Sequence, residues 1–177
     1  MKNAFKFMGL TLFMALALFL SSGCFAGNAA SKETAEKFPA FKTVDTSGNA
    51  VTEDIFKGKK VTVVNIWGTF CPPCIEEMPA LAAWAKEMPK DAQIIGIVCD
   101  SKGASDTKTT AAAVKIMNDA GVKFVNILPD EGIGKYLDNV MAVPTTIFVD
   151  GEGNILGKAV VGANVSEYKK RVTEYLK

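Results

Sequence analysis

Residues 67–79 read WGTFCPPCIEEMP, two cysteines separated by two prolines and followed by two glutamates and a third proline. Immediately upstream, VTVVNIW at 61–67 is a continuous run rich in β-branched residues, the pattern of a strand buried on both faces of a sheet. Immediately downstream, Cys74, Met78, Leu81, Ala85 and Met88 recur at threes and fours, an apolar helical stripe that Pro89 stops. The cysteine pair therefore falls at a strand-to-helix junction. A CxxC can hold a metal, close a structural disulfide, or cycle between dithiol and disulfide.

The junction favours the third use. The first amides of a helix have no intrahelical partner, and the macrodipole presents partial positive charge there. A thiolate at that point is stabilised, and cysteines so placed fall from a pKa of about 8.5 into the range of roughly 3.5 to 7.5. Cys71, just before the helix, reads as the exposed attacking sulfur, and Cys74, one turn in, as the sulfur that resolves the mixed disulfide. Pro72 and Pro73 fit a first helical turn, where a missing N–H costs nothing, and stiffen the segment between the sulfurs. Pro79 lies inside the helix and is expected to kink it.

Glu77 stands three residues after Cys74, on the same helical face and directed back toward the sulfurs. A partly buried carboxyl there can exchange protons with Cys74 and raise the thiol pKa when ionised. The alternative is a solvated first-turn glutamate, which is the reading for Glu76. Trp67 and Phe70 read as packing residues, as an apolar rim around the sulfurs, or as both.

The chain contains no histidine. That excludes hydrolysis through a histidine base, and it leaves a structural zinc site short of ligands, since only Cys24 and Cys99 remain beside the pair. No metal and no other cofactor is assigned. Two thiolates can hold Cu(I), so a copper-binding or carrier module without turnover stays as an alternative from a different class. Cys99, in the apolar run IIGIVC, reads as a buried small hydrophobe, with a regulatory or resolving thiol as the alternative. With 20 basic and 19 acidic residues and a net charge of +1, nothing marks a nucleic-acid partner.

Elsewhere strand and helix patterns alternate. FKTVD is a short strand ending in the turn TSGN, QIIGIVCD a buried strand, and Thr107 to Ala120 a helix closed by Gly121. KFVNILPD reads as a strand and EGIGKYLDNV as a short helix. TTIFVD and NILGKAVVG flank the turn DGEGN, a hairpin signal and hence an antiparallel pair. VSEYKKRVTEYLK is an amphipathic helix. At 177 residues and 49% hydrophobic composition the chain suits one well-buried domain. The pattern predicts an α/β domain with a central mixed sheet flanked by helices on both faces.

The N-terminus has the tripartite layout of a secretory signal: Lys2 and Lys6, an apolar run from Phe7 to Leu20, then small residues. The run is shorter than the roughly 20 residues of a spanning helix, although an uncleaved anchor is an option. LSSGC resembles a bacterial lipobox with Ser21 in place of the usual leucine, and Cys24 is then the lipidated mature N-terminus. The rival is ordinary cleavage after Ala26 or Ala29, which removes Cys24. On the lipoprotein reading residues 1–23 are the signal, 24–37 a flexible tether and 38–177 the domain. Removing 1–23 leaves 18 basic against 19 acidic residues. Both routes place the domain outside the cytoplasm, where disulfide chemistry is permitted.

Three segments together resemble the TlpA/ResA-like branch of the thioredoxin superfamily: WGTFCPPCIEEMP, AVPTTIFVDGEGNI at 142–155, and FPAFKTVDTSGNAVTEDIFKGKKVTVVNIWG at 38–68. The resemblance implies a thioredoxin-like fold and a redox-active disulfide between Cys71 and Cys74. It implies a cis bond before Pro144, with the Val143 backbone beside the sulfurs as a pairing edge for an extended substrate segment. Glu77 matches the active-site glutamate of the branch, and Asn65 stands where cytoplasmic thioredoxins have a buried aspartate. Phe70, where tryptophan is more usual, and the absence of a glycine in NVMAVP are departures.

The branch implies an extracytoplasmic thiol-disulfide oxidoreductase acting on protein thiols and disulfides and fed by a membrane electron donor. A reductant is favoured, for example in cytochrome c maturation or in repair of exported proteins. A peroxiredoxin-like peroxidase fits less well: Thr69 is only two residues before Cys71, and residues 61–70 contain no proline.

Overall fold

The computed structural model describes residues 36–177. The signal segment, Cys24 and most of the tether lie outside the described residues.

Strand β3, Val61–Trp67, is the spine. All seven of its residues are buried. Because successive side chains point to opposite faces, Val61, Val63 and Trp67 enter one core while Val64 and Ile66 enter the other. β4 (Ala92–Val98) runs parallel to β3, and β5 (Asn126–Ile127) continues parallel beyond β4. On the other side β6 (Thr145–Val149) is antiparallel to β3, and β7 (Val160–Val161) is antiparallel to β6. The order β5-β4-β3-β6-β7 is a mixed sheet, as the alternating pattern predicts.

Helix α1, Pro72–Glu87, leaves the C-terminal end of β3 and turns Cys74, Met78 and Leu81 inward. Burying an apolar side chain of that size contributes roughly 1.5 to 3 kcal/mol. The helix continues through Pro79, which is exposed. α2 (Thr107–Asp119) and α4 (Val165–Tyr175) cover the same face, the latter through Tyr168 and Val172. α3 (Glu131–Leu137) covers the opposite face with Ile133, beside an aromatic cluster of Phe38, Phe41 and Phe56. Asp106, Asp130 and Asn164 cap α2, α3 and α4 by accepting from early backbone amides.

Three segments depart from the sequence expectation. β1 (Lys42–Val44) pairs with a strand not read from the pattern, β2 (Ala50–Thr52), as a separate two-stranded sheet followed by a short 3-10 turn, Glu53–Phe56. KFVNILPD contributes only two strand residues, because Val44 and Thr46 take up backbone groups of Leu128 and Asn126 along the sheet edge. NILGKAVVG is broken: Ile155 bridges to Val149, Gly157 turns the chain at a φ of 64°, and the ladder resumes at Val160. The antiparallel pairing across DGEGN nevertheless holds, its turn built on Asp150, which accepts from the amides of Glu152 and Asn154.

Candidate active site

Cys71 is the N-cap residue of α1, and its sulfur accepts from the Cys74 amide at 3.3 Å. This is the arrangement that favours a thiolate: an orphan amide and the positive end of the helix both face Sγ. The two sulfurs are joined as a disulfide, with Cα atoms 5.3 Å apart. Cys74 is fully enclosed, whereas Cys71 keeps 4% exposure. That remnant opens into a cleft of about 560 Å³ walled by Phe70, Pro72, Pro73, Cys99, Val140 and Met141. Cys71 is therefore the accessible sulfur of the pair but lies well below the surface.

The loop ahead of the pair is held from behind. Asp100 accepts from the Thr69 amide at 3.0 Å and from its hydroxyl. Gly68 accepts from the Cys71 amide at 3.1 Å. A Cβ on Gly68 would stand 2.5 Å from the Phe70 ring, so this glycine lets the ring fold back over the turn.

Across the cleft the Val143–Pro144 bond is cis, and the Val143 carbonyl oxygen lies 3.5 Å from Cys71 Sγ. The disulfide sulfur has no proton to give, so this proximity becomes a hydrogen bond only in the thiol form. Pro72 and Pro73 occupy the first two positions of α1 and are exposed. Phe70 is 67% exposed on the rim.

Trp67 is not a rim residue. It is completely buried and donates from Nε1 to Asn126 Oδ1 at 2.8 Å. It packs in the core behind the cysteines, because β3 sends its odd-numbered residues toward α1. Cys99 also differs from expectation. Lying just past the end of β4, it is half-buried and forms part of the cleft wall. Burial, with the Asp100 carboxylate next to it, pushes its thiol up to about 11.

Glu77 is buried, as required for a tuned carboxyl, but its hydrogen bonds do not reach the sulfurs. Oε1 accepts from Asn65 Nδ2 at 2.9 Å, and Oε2 lies 3.2 Å from the Tyr168 hydroxyl. Burial raises its pKa above the ordinary carboxyl value, and the bonds to Asn65 and Tyr168 oppose that only in part. Asn65 is cross-strand from Thr146 and also donates to its Oγ1 at 3.1 Å. Tyr168 and Thr146 were not legible as site residues. Tyr168 lies on the apolar stripe of α4, and its only signal is that a buried phenol needs a polar partner.

A helix-capping cysteine pair facing a cis-proline loop on this mixed sheet defines a thiol-disulfide oxidoreductase of thioredoxin-like fold. The chain belongs to the Redoxin family, whose model matches residues 33–172. It is 30% identical over 178 residues to the thiol-disulfide oxidoreductase ResA of Bacillus thuringiensis, covering 92% of this chain and 96% of that protein. It is 31% identical over 165 residues to the thiol:disulfide interchange protein DsbE of Pseudomonas aeruginosa, covering 90% and 86%. Among solved structures, a thioredoxin-family thiol:disulfide interchange protein of Chlorobium tepidum superposes with a TM-score of 0.66 at 21% identity, covering 81% of this chain and 97% of that one.

Proposed function

We propose that the protein is an exported reductant of protein disulfides, with Cys71 as nucleophile, Cys74 as resolving cysteine and Glu77 as the proton-transfer group. The observation that carries this reading is the pairing of an amide-capped Cys71 Sγ, open to an apolar cleft, with an enclosed Cys74 directly behind it.

In the reduced protein the Cys71 thiolate attacks one sulfur of a partner's disulfide, forming a mixed disulfide and releasing the first partner thiolate, which takes a proton. The Cys74 thiol then gives its proton to the Glu77 carboxylate, and the resulting thiolate attacks Cys71 Sγ. The second partner thiolate leaves, and two electrons have passed from the protein to the partner. A dithiol donor in the membrane restores the pair. The backbone of Val143 beside the sulfur suits pairing with an extended partner segment.

The mature chain is held outside the cytoplasm by a lipid on Cys24, in keeping with the LSSGC signal. Mass determination tests the anchor: a mature chain beginning at Gly27 or Ala30 without an acyl group removes it.

The test of direction is a redox titration of the Cys71 and Cys74 pair. Thioredoxin-fold potentials run from roughly −270 to −120 mV, and each 30 mV is about 1.4 kcal/mol for this two-electron couple. A value at the reducing end supports the reading, and one near −120 mV overturns it. Trapping a mixed disulfide on Cys71 in a Cys74→Ser variant tests the reaction class, which fails if no adduct forms.

A further inference from the structure

The hydroxyl of Tyr168 faces four polar groups, the Thr146 hydroxyl and three others, with one proton to share. It lies 2.8 Å from the Gly162 carbonyl oxygen, 3.2 Å from Glu77 Oε2 and 3.2 Å from the Asn164 amide. The amide can only donate, so it occupies a lone pair of the phenol oxygen. The Thr146 oxygen already accepts from Asn65 and carries a proton of its own, so the phenol proton goes either to Gly162 or to Glu77.

If it goes to Gly162, the nearer acceptor, the contact with Glu77 is a hydrogen bond only when Glu77 Oε2 carries a proton and donates it. Oε1 then accepts from Asn65, and every contact around the carboxyl is satisfied. If Glu77 is ionised, Oε2 needs a donor, the phenol turns to it, and the Gly162 carbonyl loses its partner. The amide of that same Gly162 donates to the Pro144 carbonyl at 2.8 Å, and Val143 next to it faces Cys71 Sγ.

We propose that Tyr168 is the positioning residue that answers to the charge of Glu77, accepting from the carboxyl when it is protonated and donating to it when it is ionised. When Glu77 loses its proton, the Tyr168 hydroxyl turns from Gly162 to Glu77 and relays the change to the loop carrying Pro144. This rests on reading Glu77 as the proton-transfer group. The groups that meet its carboxyl are Asn65 of β3 and Tyr168 of α4; on its own helix the titratable neighbour is Cys74, in the disulfide here. Among the described residues, no charged side chain acts on it.

The test follows the Glu77 carboxyl by carbon-13 NMR across pH in the oxidised full chain. The wild type is compared with Tyr168→Phe, which keeps the ring and removes the hydroxyl. The Glu77 midpoint is expected to move to higher pH in the variant, because the ionised form loses a donor. The Gly162 amide shift, which tracks that midpoint in the wild type, becomes flat. An unmoved midpoint, or a Gly162 amide that still titrates in Tyr168→Phe, overturns the proposal.

Should that variant not fold, the wild type and Glu77→Gln suffice. The Tyr168 ring carbon bearing oxygen must titrate with Glu77 in the first and stay constant in the second, and any other pattern overturns the proposal. A disulfide-reduction assay on the same samples separates the two readings. Coupled titration without reduction leaves the network standing and removes the function, and reduction without coupling does the reverse.

Discussion

Trp67 Nε1 on β3 donates to Asn126 Oδ1 on β5 at 2.8 Å, across the intervening strand β4 at Gly96. A Cβ built on Gly96 would fall 1.8 Å from that oxygen. The glycine in QIIGIV is thus a packing requirement of the wall behind the cysteines. Gly96→Ala is expected to displace Asn126 and leave the indole N–H unpaired in the core. An orphaned buried donor costs about 1 to 3 kcal/mol. Asn126→Ala should cost a similar amount for the same reason. Urea melts of both variants and their combination check this, and the double variant should lose clearly less than the two losses added.

Glu77→Gln should act on stability and on turnover in opposite senses. The pKa of Glu77 in the fold lies above its ordinary value of 4.5. Between that value and the folded one, the native protein keeps a proton that the unfolded chain has lost. Stability therefore falls as pH rises across the window and levels off above it, the reverse of a salt-bridged carboxylate. Glutamine reproduces the protonated form, accepting from Asn65 and donating to Tyr168. The variant should match the wild type near pH 4 and exceed it at pH 8, read from urea midpoints at both values. Its resolution step should slow by about 10² to 10⁴, the usual range for one acid-base group, measured as decay of the mixed disulfide.

How far the sequence discloses the molecule depends on whether a residue's role is local. β3 and α1 are legible because their periodicity and the prolines act within one element. The cis bond at Pro144 is legible only through family resemblance, since nothing near NVMAVP dictates it. Trp67 takes its packing reading and not its rim reading, and Cys99 is misplaced by pattern, for one reason: a strand's period says which face a side chain takes, but not where that face stops being core and becomes cleft. Cys99 lies one residue beyond β4, and that step brings it to the cleft wall. Tyr168 is hidden because its partner is 91 residues away, and an aromatic on an amphipathic stripe looks the same with or without that bond.

Cys99 should be a poor nucleophile despite its place beside Cys71. With its thiol pushed up to about 11, it is almost wholly protonated at neutral pH. In a Cys71→Ser, Cys74→Ser variant, alkylation located at Cys99 by peptide mass mapping should be slow at pH 7 and climb steeply toward pH 11. Rapid labelling at pH 7 contradicts this environment.

The cleft wall should select partners by apolarity. Phe70 is 67% and Met141 94% exposed, and among the described residues no charged side chain lines the cleft. Side chains this exposed gain the most from being covered, and covering a phenylalanine is worth roughly 1.5 to 3 kcal/mol. Phe70→Asp should therefore slow exchange with a disulfide peptide flanked by leucine or valine by about tenfold or more, since 1.4 kcal/mol corresponds to a factor of ten. Exchange with a small hydrophilic disulfide, which does not reach the rim, should change far less. Stopped-flow rates for the two substrates give the ratio. Equal slowing of both would mean that Phe70 acts on the Cys71 loop, through its fold over Gly68, and not on the partner.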